Sequence, residues 1–412
     1  MRKLKRLIIA TAKKHHALMS LIRKVRFIIN RIKSLYFCLN KIDDKLIIFE
    51  SYMGRQYSDS PKSIYLELLK YHKYKFVWVF KDPDKHDIKE GIKVKYGSKN
   101  YYKYYERAKY WISNSRVNDA IIKRKKQIYI QCWHGTPLKR LGYDIKKTDN
   151  AMNTLKDIRK KYSADSKRYN YMISPSSYCT NIFKSAFHLK DNVNIIETGY
   201  PRNDSLFKYK NIEIKKIKKK FKIPTSKKVI LYAPTWRDNQ HTSGVGYTYT
   251  LGIDLDVLKK YLSQDYVILF RTHYFVNNVI GFEKYKNFII DVSKYEDIND
   301  LYIISDILIT DYSSVMFDFA NLKKPIIYYM YDYDEYKNNI RDFYFDLNEL
   351  PGPIIKKENT KKLCEIIQKY NFDKYKVKYI KFNKKFNYLD SESSSKKVVK
   401  ECILDGESKT YY

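Results

Sequence analysis

Two hydrophobic patterns divide this chain. Leu18, Leu21, Ile22, Val25, Ile28, Ile29, Ile32, Leu35 and Tyr36 recur at three- and four-residue spacing, which draws one apolar stripe along a helix. From residue 45 the pattern changes to short, continuous apolar runs alternating with helical stretches. Runs at 46–51, 76–80, 92–94, 110–114, 128–132, 171–174 and 193–196 predict one set of strands, and runs at 228–232, 266–270, 288–291, 306–310 and 325–329 predict a second. Strands this apolar, with helices between them, belong in parallel sheets covered on both faces. The expectation is an α/β chain of two doubly wound, Rossmann-like domains facing a central cleft at the carboxyl edges of their sheets. The segments are an amphipathic helical stretch over 1–42, a first domain over 43–207, a second over 208–386 that opens with a lysine-heavy connector, and a polar tail over 387–412 with room for one closing helix.

A length of 412 residues suits two domains. Charge sharpens the reading of the first segment. The chain carries 81 Lys and Arg against 45 Asp and Glu, a net +36, and twelve of the basic residues precede the first acid, Asp43. The stripe's opposite face is therefore basic, as suits a helix lying on an anionic membrane leaflet. The plainer alternative is a basic helix packed on the protein's own surface. A general bias toward Lys, Ile, Asn and Tyr, with 42 Tyr in all, inflates the total charge, so its distribution carries more weight. No run approaches the roughly 18 apolar residues of a membrane-spanning helix. The apolar stretch at 7–12 is short and runs into Lys13-Lys14-His15-His16, unlike a secretory signal. Five widely spaced cysteines without a Cys-x-x-Cys pair indicate a reducing compartment, with neither a disulfide framework nor a zinc site.

Candidate chemistry gathers where strands end. The run 128–132 leads into Trp133-His134-Gly135-Thr136-Pro137, whose Gly and Pro break the strand and leave an imidazole at its carboxyl end. A histidine there can act as a base near neutral pH, or can simply hydrogen-bond its own turn. Three strand ends of the second domain favour a ligand site. They are Pro234-Thr235-Trp236-Arg237, Arg271-Thr272-His273, and Asp311-Tyr312-Ser313-Ser314 ahead of a helical run. Cations with serines at a helix start suit phosphate. Simple N-capping by Asp311-Tyr312-Ser313-Ser314 would be the reading of that motif alone.

Five motifs together carry a resemblance. Gln131-Cys132-Trp133-His134-Gly135-Thr136-Pro137-Leu138-Lys139, Gly199-Tyr200-Pro201-Arg202-Asn203-Asp204, Tyr232-Ala233-Pro234-Thr235-Trp236-Arg237, Arg271-Thr272-His273, and Ile309-Thr310-Asp311-Tyr312-Ser313-Ser314 with Phe317-Asp318 occur in this order. The chain resembles, over about 45–368, the CDP-glycerol glycerophosphotransferase family of teichoic acid primases and polymerases. The resemblance implies a GT-B-like fold and peripheral attachment to the cytoplasmic face of the bacterial cell membrane. It also implies transfer of a polyol phosphate from CDP-glycerol or CDP-ribitol to a lipid-linked (undecaprenyl-type) saccharide or polyol-phosphate acceptor, with release of CMP. It makes His134 the acceptor-side catalytic histidine and His273 the one that meets the donor pyrophosphate. Asp311, Ser313 and Ser314 fall on the donor-site motif, and Asp318 either joins them or fixes the helix. Trp133, Gly135, Thr136, Arg202, Asn203, Pro234, Thr235, Arg237 and Arg271 complete the expected substrate-binding set.

Phosphoryl transfer needs mainly positioning and charge stabilisation. No carboxylate cluster with metal-ligand spacing stands out, so no metal is required, while Mg²⁺ on the pyrophosphate stays open. No domain precedes the pair in this sequence, which favours a primase, a short-chain transferase or a compact capsule-type polymerase. Glycerol or ribitol, the acceptor, product length and oligomeric state stay open. Two other readings stand beside this one: a GT-B nucleotide-sugar glycosyltransferase and a basic nucleic-acid-binding protein.

Overall fold

The computed structural model of the chain describes residues 16–146, 154–235, 241–242, 246–247, 251–272, 281–334 and 342–405, with side chains from residue 21 onward and none for 241–247. Arg237 and His273, and the start of the basic segment, lie outside the described residues.

The first sheet contains β1 (Asp43–Glu50), β2 (Lys75–Phe80), β3 (Ile92–Lys95), β4 (Ala108–Ser113), β5 (Ile128–Gln131), β6 (Tyr171–Ser174) and β7 (Asn194–Glu197), in the order β3-β2-β1-β4-β5-β6-β7. Every pairing in it is parallel. After β8 (Lys228–Ala233) and a small antiparallel pair, β9 (His241–Thr242) with β10 (Gly246–Tyr247), come β11 (Tyr266–Phe270), β12 (Ile289–Asp291), β13 (Ile307–Thr310), β14 (Ile326–Tyr329) and β15 (Ile354–Ile355). They form a second parallel sheet in the order β12-β11-β8-β13-β14-β15. Each sheet grows outward from its first strand and then reverses, at β1/β4 and at β8/β13. Such reversals open a crevice beyond the carboxyl ends of the strands.

Burial explains why the apolar runs fold this way. Alternate residues of β1 enter opposite cores: Leu46 and Ile48 join Val77, Trp111 and Met172, while Ile47 and Phe49 join Phe76, Trp78 and Ile112. Strands buried on both faces have no polar side to present.

Two stretches differ from the sequence reading. The lysine-heavy connector contains a helix, Asn211–Lys220. Its Ile214 and Ile217, one turn apart, pack against the second domain's core. The polar tail holds the closing helix for which it had room, and differs in being buried. Helix Lys376–Phe386 packs Tyr379, Phe382 and Phe386 on the second domain, and the chain then crosses back. Helix Ser394–Val399 and the turn after it bury Val398, Val399, Cys402 and Ile403 in the first domain. Asp204 accepts hydrogen bonds from the Ser394 and Ser395 amides at 3.0 and 3.1 Å, capping that helix.

Helix His16–Phe37 leaves Leu21, Val25, Ile28, Ile29, Ile32 and Leu35 exposed. Its carboxyl end is tied down: Ser34 hydrogen-bonds the buried Glu106, the Cys38 thiol donates to the same carboxylate at 3.0 Å, and Arg124 donates to the Cys38 carbonyl at 2.9 Å. Among the described residues no helix is long and apolar enough to cross a membrane. All five cysteines are free.

Candidate active site

The turn after β5 is held in a shape that its sequence would not choose. Trp133 has φ +50°, and Tyr52 and Met53 in the loop after β1 and Asp59 at the start of the next helix also have positive φ. Such backbone costs about 1–3 kcal/mol per residue and persists only where its surroundings enforce it. The enforcing contact at Trp133 is Gln131, whose side-chain carbonyl accepts the Trp133 N–H at 2.9 Å. Gln131 is itself buried, and its amide donates to the Ser115 carbonyl at 3.2 Å and the Tyr129 hydroxyl at 3.1 Å.

That turn aims His134. Its Nδ1 stands 2.7 Å from the Asn114 carbonyl, at the end of the neighbouring β4. A carbonyl can only accept, so Nδ1 carries the proton and the Nε2 lone pair is left for chemistry. Burial lowers the His134 pKa from its usual value, against the raising effects of the Asn114 hydrogen bond and the Asp59 charge. The ring is thus a neutral base at pH 7.

The second domain supplies the opposite wall. Gly135 meets it directly, because a Cβ there would stand 2.6 Å from the Ser314 Oγ. Asp311, buried after β13, accepts the Thr235 and Tyr312 amides at 2.8 and 2.6 Å, clamping together the loops after β8 and β13. Arg271, after β11, donates from Nη1 to the Val292 and Tyr295 carbonyls at 3.0 and 2.7 Å. Burial lowers its pKa from the usual guanidinium value, yet a guanidinium stays cationic throughout the physiological range. A cavity of about 380 Å³ lies between the walls, lined by Trp133, His134, Gly135, Thr136, Pro234, Thr235, Arg271, Ser313 and Ser314.

Three expected ligand residues do not line this cavity. Arg202 is 4% exposed and its Nη2 donates to Asp318 Oδ1 at 2.9 Å across the domain interface. The Asn203 amide donates to Asp318 at 2.9 Å and to Asp390 at 2.8 Å. Arg202 also lies on the Tyr200 ring, 4.0 Å from its centroid. Gly199 makes this corner possible with φ +84°, where a Cβ would stand 2.5 Å from the Leu389 carbonyl oxygen. This motif holds the two domains and the returning carboxyl-terminal helix together.

The family described as CDP-Glycerol:Poly(glycerophosphate) glycerophosphotransferase matches residues 32–404. The chain belongs to this family. A teichoic acid poly(glycerol phosphate) polymerase of Staphylococcus epidermidis is 46% identical over 79% of this chain and 46% of its own length, so the chain spans about half of that relative. One of Bacillus spizizenii with the same name is 41% identical over 93% of this chain and 99% of its own length. A solved wall teichoic acid polymerase, TagF, in a histidine-to-asparagine variant soaked with CDPG, superposes with a TM-score of 0.85 at 39% identity, covering 95% of this chain and 98% of that one. The fold is accordingly the GT-B-like one expected. Within this glycerophosphotransferase family, the sugar-transferase and nucleic-acid readings give way to polyol-phosphate chemistry.

The candidate site contains residues to which the sequence reading gave no role. Asn114, Gln131 and Tyr52 support His134, with the Tyr52 ring 5.7 Å from the imidazole. Thr272 pairs with Ser293 at 3.0 Å beside Arg271. The sequence signals were Gln131 and Asn114, polar residues closing otherwise apolar strands. Among the described residues no group of three or more His, Cys, Asp or Glu side chains is arranged to hold a metal ion.

Proposed function

We propose that this protein transfers glycerol phosphate from CDP-glycerol to a hydroxyl of a polyol-phosphate or lipid-linked acceptor, releasing CMP, in the synthesis of wall teichoic acid or a related cell-surface polymer. The observation that carries it is the neutral His134, held by the Asn114 carbonyl with Nε2 free, at the rim of a cavity whose other wall holds Arg271, Ser313 and Ser314. Glycerol is favoured over ribitol because the relatives at 41–46% identity are named for glycerol phosphate. The relative matched over 99% of its own length is named a polymerase, so chain length gives no preference for a primase.

In this reading the acceptor oxygen attacks the β-phosphorus of the donor. A phosphorus–oxygen bond forms, the bond to the CMP oxygen breaks, and His134 Nε2 takes the hydroxyl proton. Arg271 and the Ser313 and Ser314 hydroxyls stabilise the charge passing to CMP. His273 and Arg237 are proposed for the same task on sequence grounds alone. The reading requires no resident metal. If Mg²⁺ takes part, it enters with the donor pyrophosphate, and chelation followed by Mg²⁺ addition tests this. Helix His16–Phe37, with its exposed apolar residues and Arg23, Lys24, Arg26, Arg31 and Lys33, is proposed to rest on an anionic membrane surface at the cytoplasmic face.

The test is CMP release from CDP-glycerol, CDP-ribitol and UDP-sugars with a poly(glycerol phosphate) oligomer as acceptor. Turnover of CDP-glycerol is expected. Turnover of UDP-sugars alone would refute the reading.

A further inference from the structure

His134 borders a second cavity as well. It holds about 390 Å³ on the side of the imidazole facing the loop after β1, and shares His134, Arg271 and Ser314 with the first. Its chemistry is the opposite of a phosphate site. Asp59, Glu296, Asp297, Asp300 and Asp318 line it against the cations Lys62, Arg202 and Arg271. Two of those cations are committed, Lys62 to Asp297 at 2.7 Å and Arg202 to Asp318 at 2.9 Å. Carboxylates repel a phosphate dianion, but they accept hydrogen bonds from hydroxyl groups.

One buried group marks the cavity as a place for a ligand. Tyr302 is fully buried and lines it, yet its hydroxyl has no hydrogen-bond partner. Arg202 Nη1, in a residue 4% exposed, likewise lacks a hydrogen bond and stands 3.7 Å from Asp59. Buried polar groups are seldom left unpaired, because each costs about 1–3 kcal/mol. A guest carrying several hydroxyls would satisfy them.

We infer that this second cavity is the acceptor subsite, taking the uncharged, hydroxyl-bearing end of the acceptor and presenting one hydroxyl to His134. The inference rests on the transferase reading above and adds to it a division of labour. The carboxylate-lined cavity admits polyol and excludes phosphate, so the donor pyrophosphate is left to the cavity beside Ser313. Asp59 serves this arrangement through its strained backbone, at φ +64°, and through the Tyr52 hydroxyl, which donates to its carboxylate at 2.7 Å.

The test uses the full chain and two variants. Tyr302→Phe removes only the unpaired hydroxyl, and Ser63→Phe fills the cavity from helix Asp59–Leu68. Binding of CDP-glycerol and of CMP is measured by calorimetry, and KM and kcat with a poly(glycerol phosphate) oligomer ending in free glycerol. Tyr302→Phe is expected to raise the acceptor KM about five-fold, the equivalent of one neutral hydrogen bond, with CDP-glycerol affinity unchanged. Ser63→Phe is expected to abolish transfer while CDP-glycerol still binds. Should Ser63→Phe fail to fold, Tyr302→Phe decides alone. Weakened CDP-glycerol binding with unchanged CMP binding and acceptor KM would place the donor's own glycerol there and overturn the inference. A parent protein that turns over no CDP-polyol would sink the transferase reading, and the inference with it.

Discussion

Gly135 and Ser314 touch across the cleft: a Cβ on Gly135 would stand 2.6 Å from the Ser314 Oγ and 3.0 Å from its Cβ. The two domains therefore meet one residue from His134, and only the smallest side chain permits it. Gly135→Ala is expected to cost about 1–3 kcal/mol through overpacking and to lower kcat by displacing His134. Adding Ser314→Gly removes the clash. A double-mutant cycle on thermal stability should then show favourable coupling between the two changes, and strict additivity would mean that they do not touch.

His134 controls the acid limb of the pH profile. Burial lowers its pKa from the usual 6.5, so the neutral base persists below that pH. kcat/KM should stay level through pH 7 and fall with an apparent pKa below 6.5. His134→Ala should lose about 10²–10⁴-fold in rate and the acid limb with it, while CDP-glycerol still binds. An unchanged acid limb in that variant would assign the titration to another group.

Arg202 and Asp318 form a buried pair, 2.9 Å apart and 4% and 9% exposed at their side chains. Removing one partner strands the other in the interface. Asp318→Ala is expected to destabilise the protein by about 3–5 kcal/mol, readable by urea titration. A loss of donor affinity without a loss of stability would make Asp318 a donor contact and not a structural partner of Arg202.

Burial pushes the Glu50 carboxyl up to about 7, with the Tyr105 and Tyr101 hydroxyls acting in the other direction. The folded state thus holds a proton that the unfolded chain releases at about 4.5, so this group's contribution declines as pH rises through that window. Glu50→Gln keeps an oxygen to accept from Tyr105 and removes the titration. The variant should match the parent near pH 4.5 and exceed it by roughly 1–3 kcal/mol at pH 8, followed by melting temperature.

Leu21, Ile28 and Ile32 lie on the exposed stripe of helix His16–Phe37 at 56, 55 and 59% exposure. Their joint replacement by Ser should release the protein from phosphatidylglycerol vesicles and leave CDP-glycerol binding intact, since the Ser34–Glu106 anchor is untouched. Retained vesicle binding, measured by flotation, would move the attachment surface elsewhere.

The central strands were legible because each is a continuous apolar run, and a strand buried on both faces leaves no other pattern. Burial went unread where polar residues mask a short apolar stripe. Ile214 and Ile217 hide among lysines, and Val398, Val399, Cys402 and Ile403 follow a serine-rich turn. β15, at two residues, is too short to register.

For the site, sequence alone determined which residue types sit at which strand ends, and its five motifs pointed to the family, because local turn chemistry is written in neighbouring residues. Tertiary structure decided what each does. Arg202 has the composition of a phosphate ligand and becomes a domain lock, because Asp318, Asp59 and Tyr200 surround it. Asn114 and Gln131 look ordinary and set the tautomer and aim of His134, because adjacent parallel strands bring their ends together. Partners more than a hundred residues apart, as Arg202 and Asp318 are, are chosen by packing, which no local pattern records.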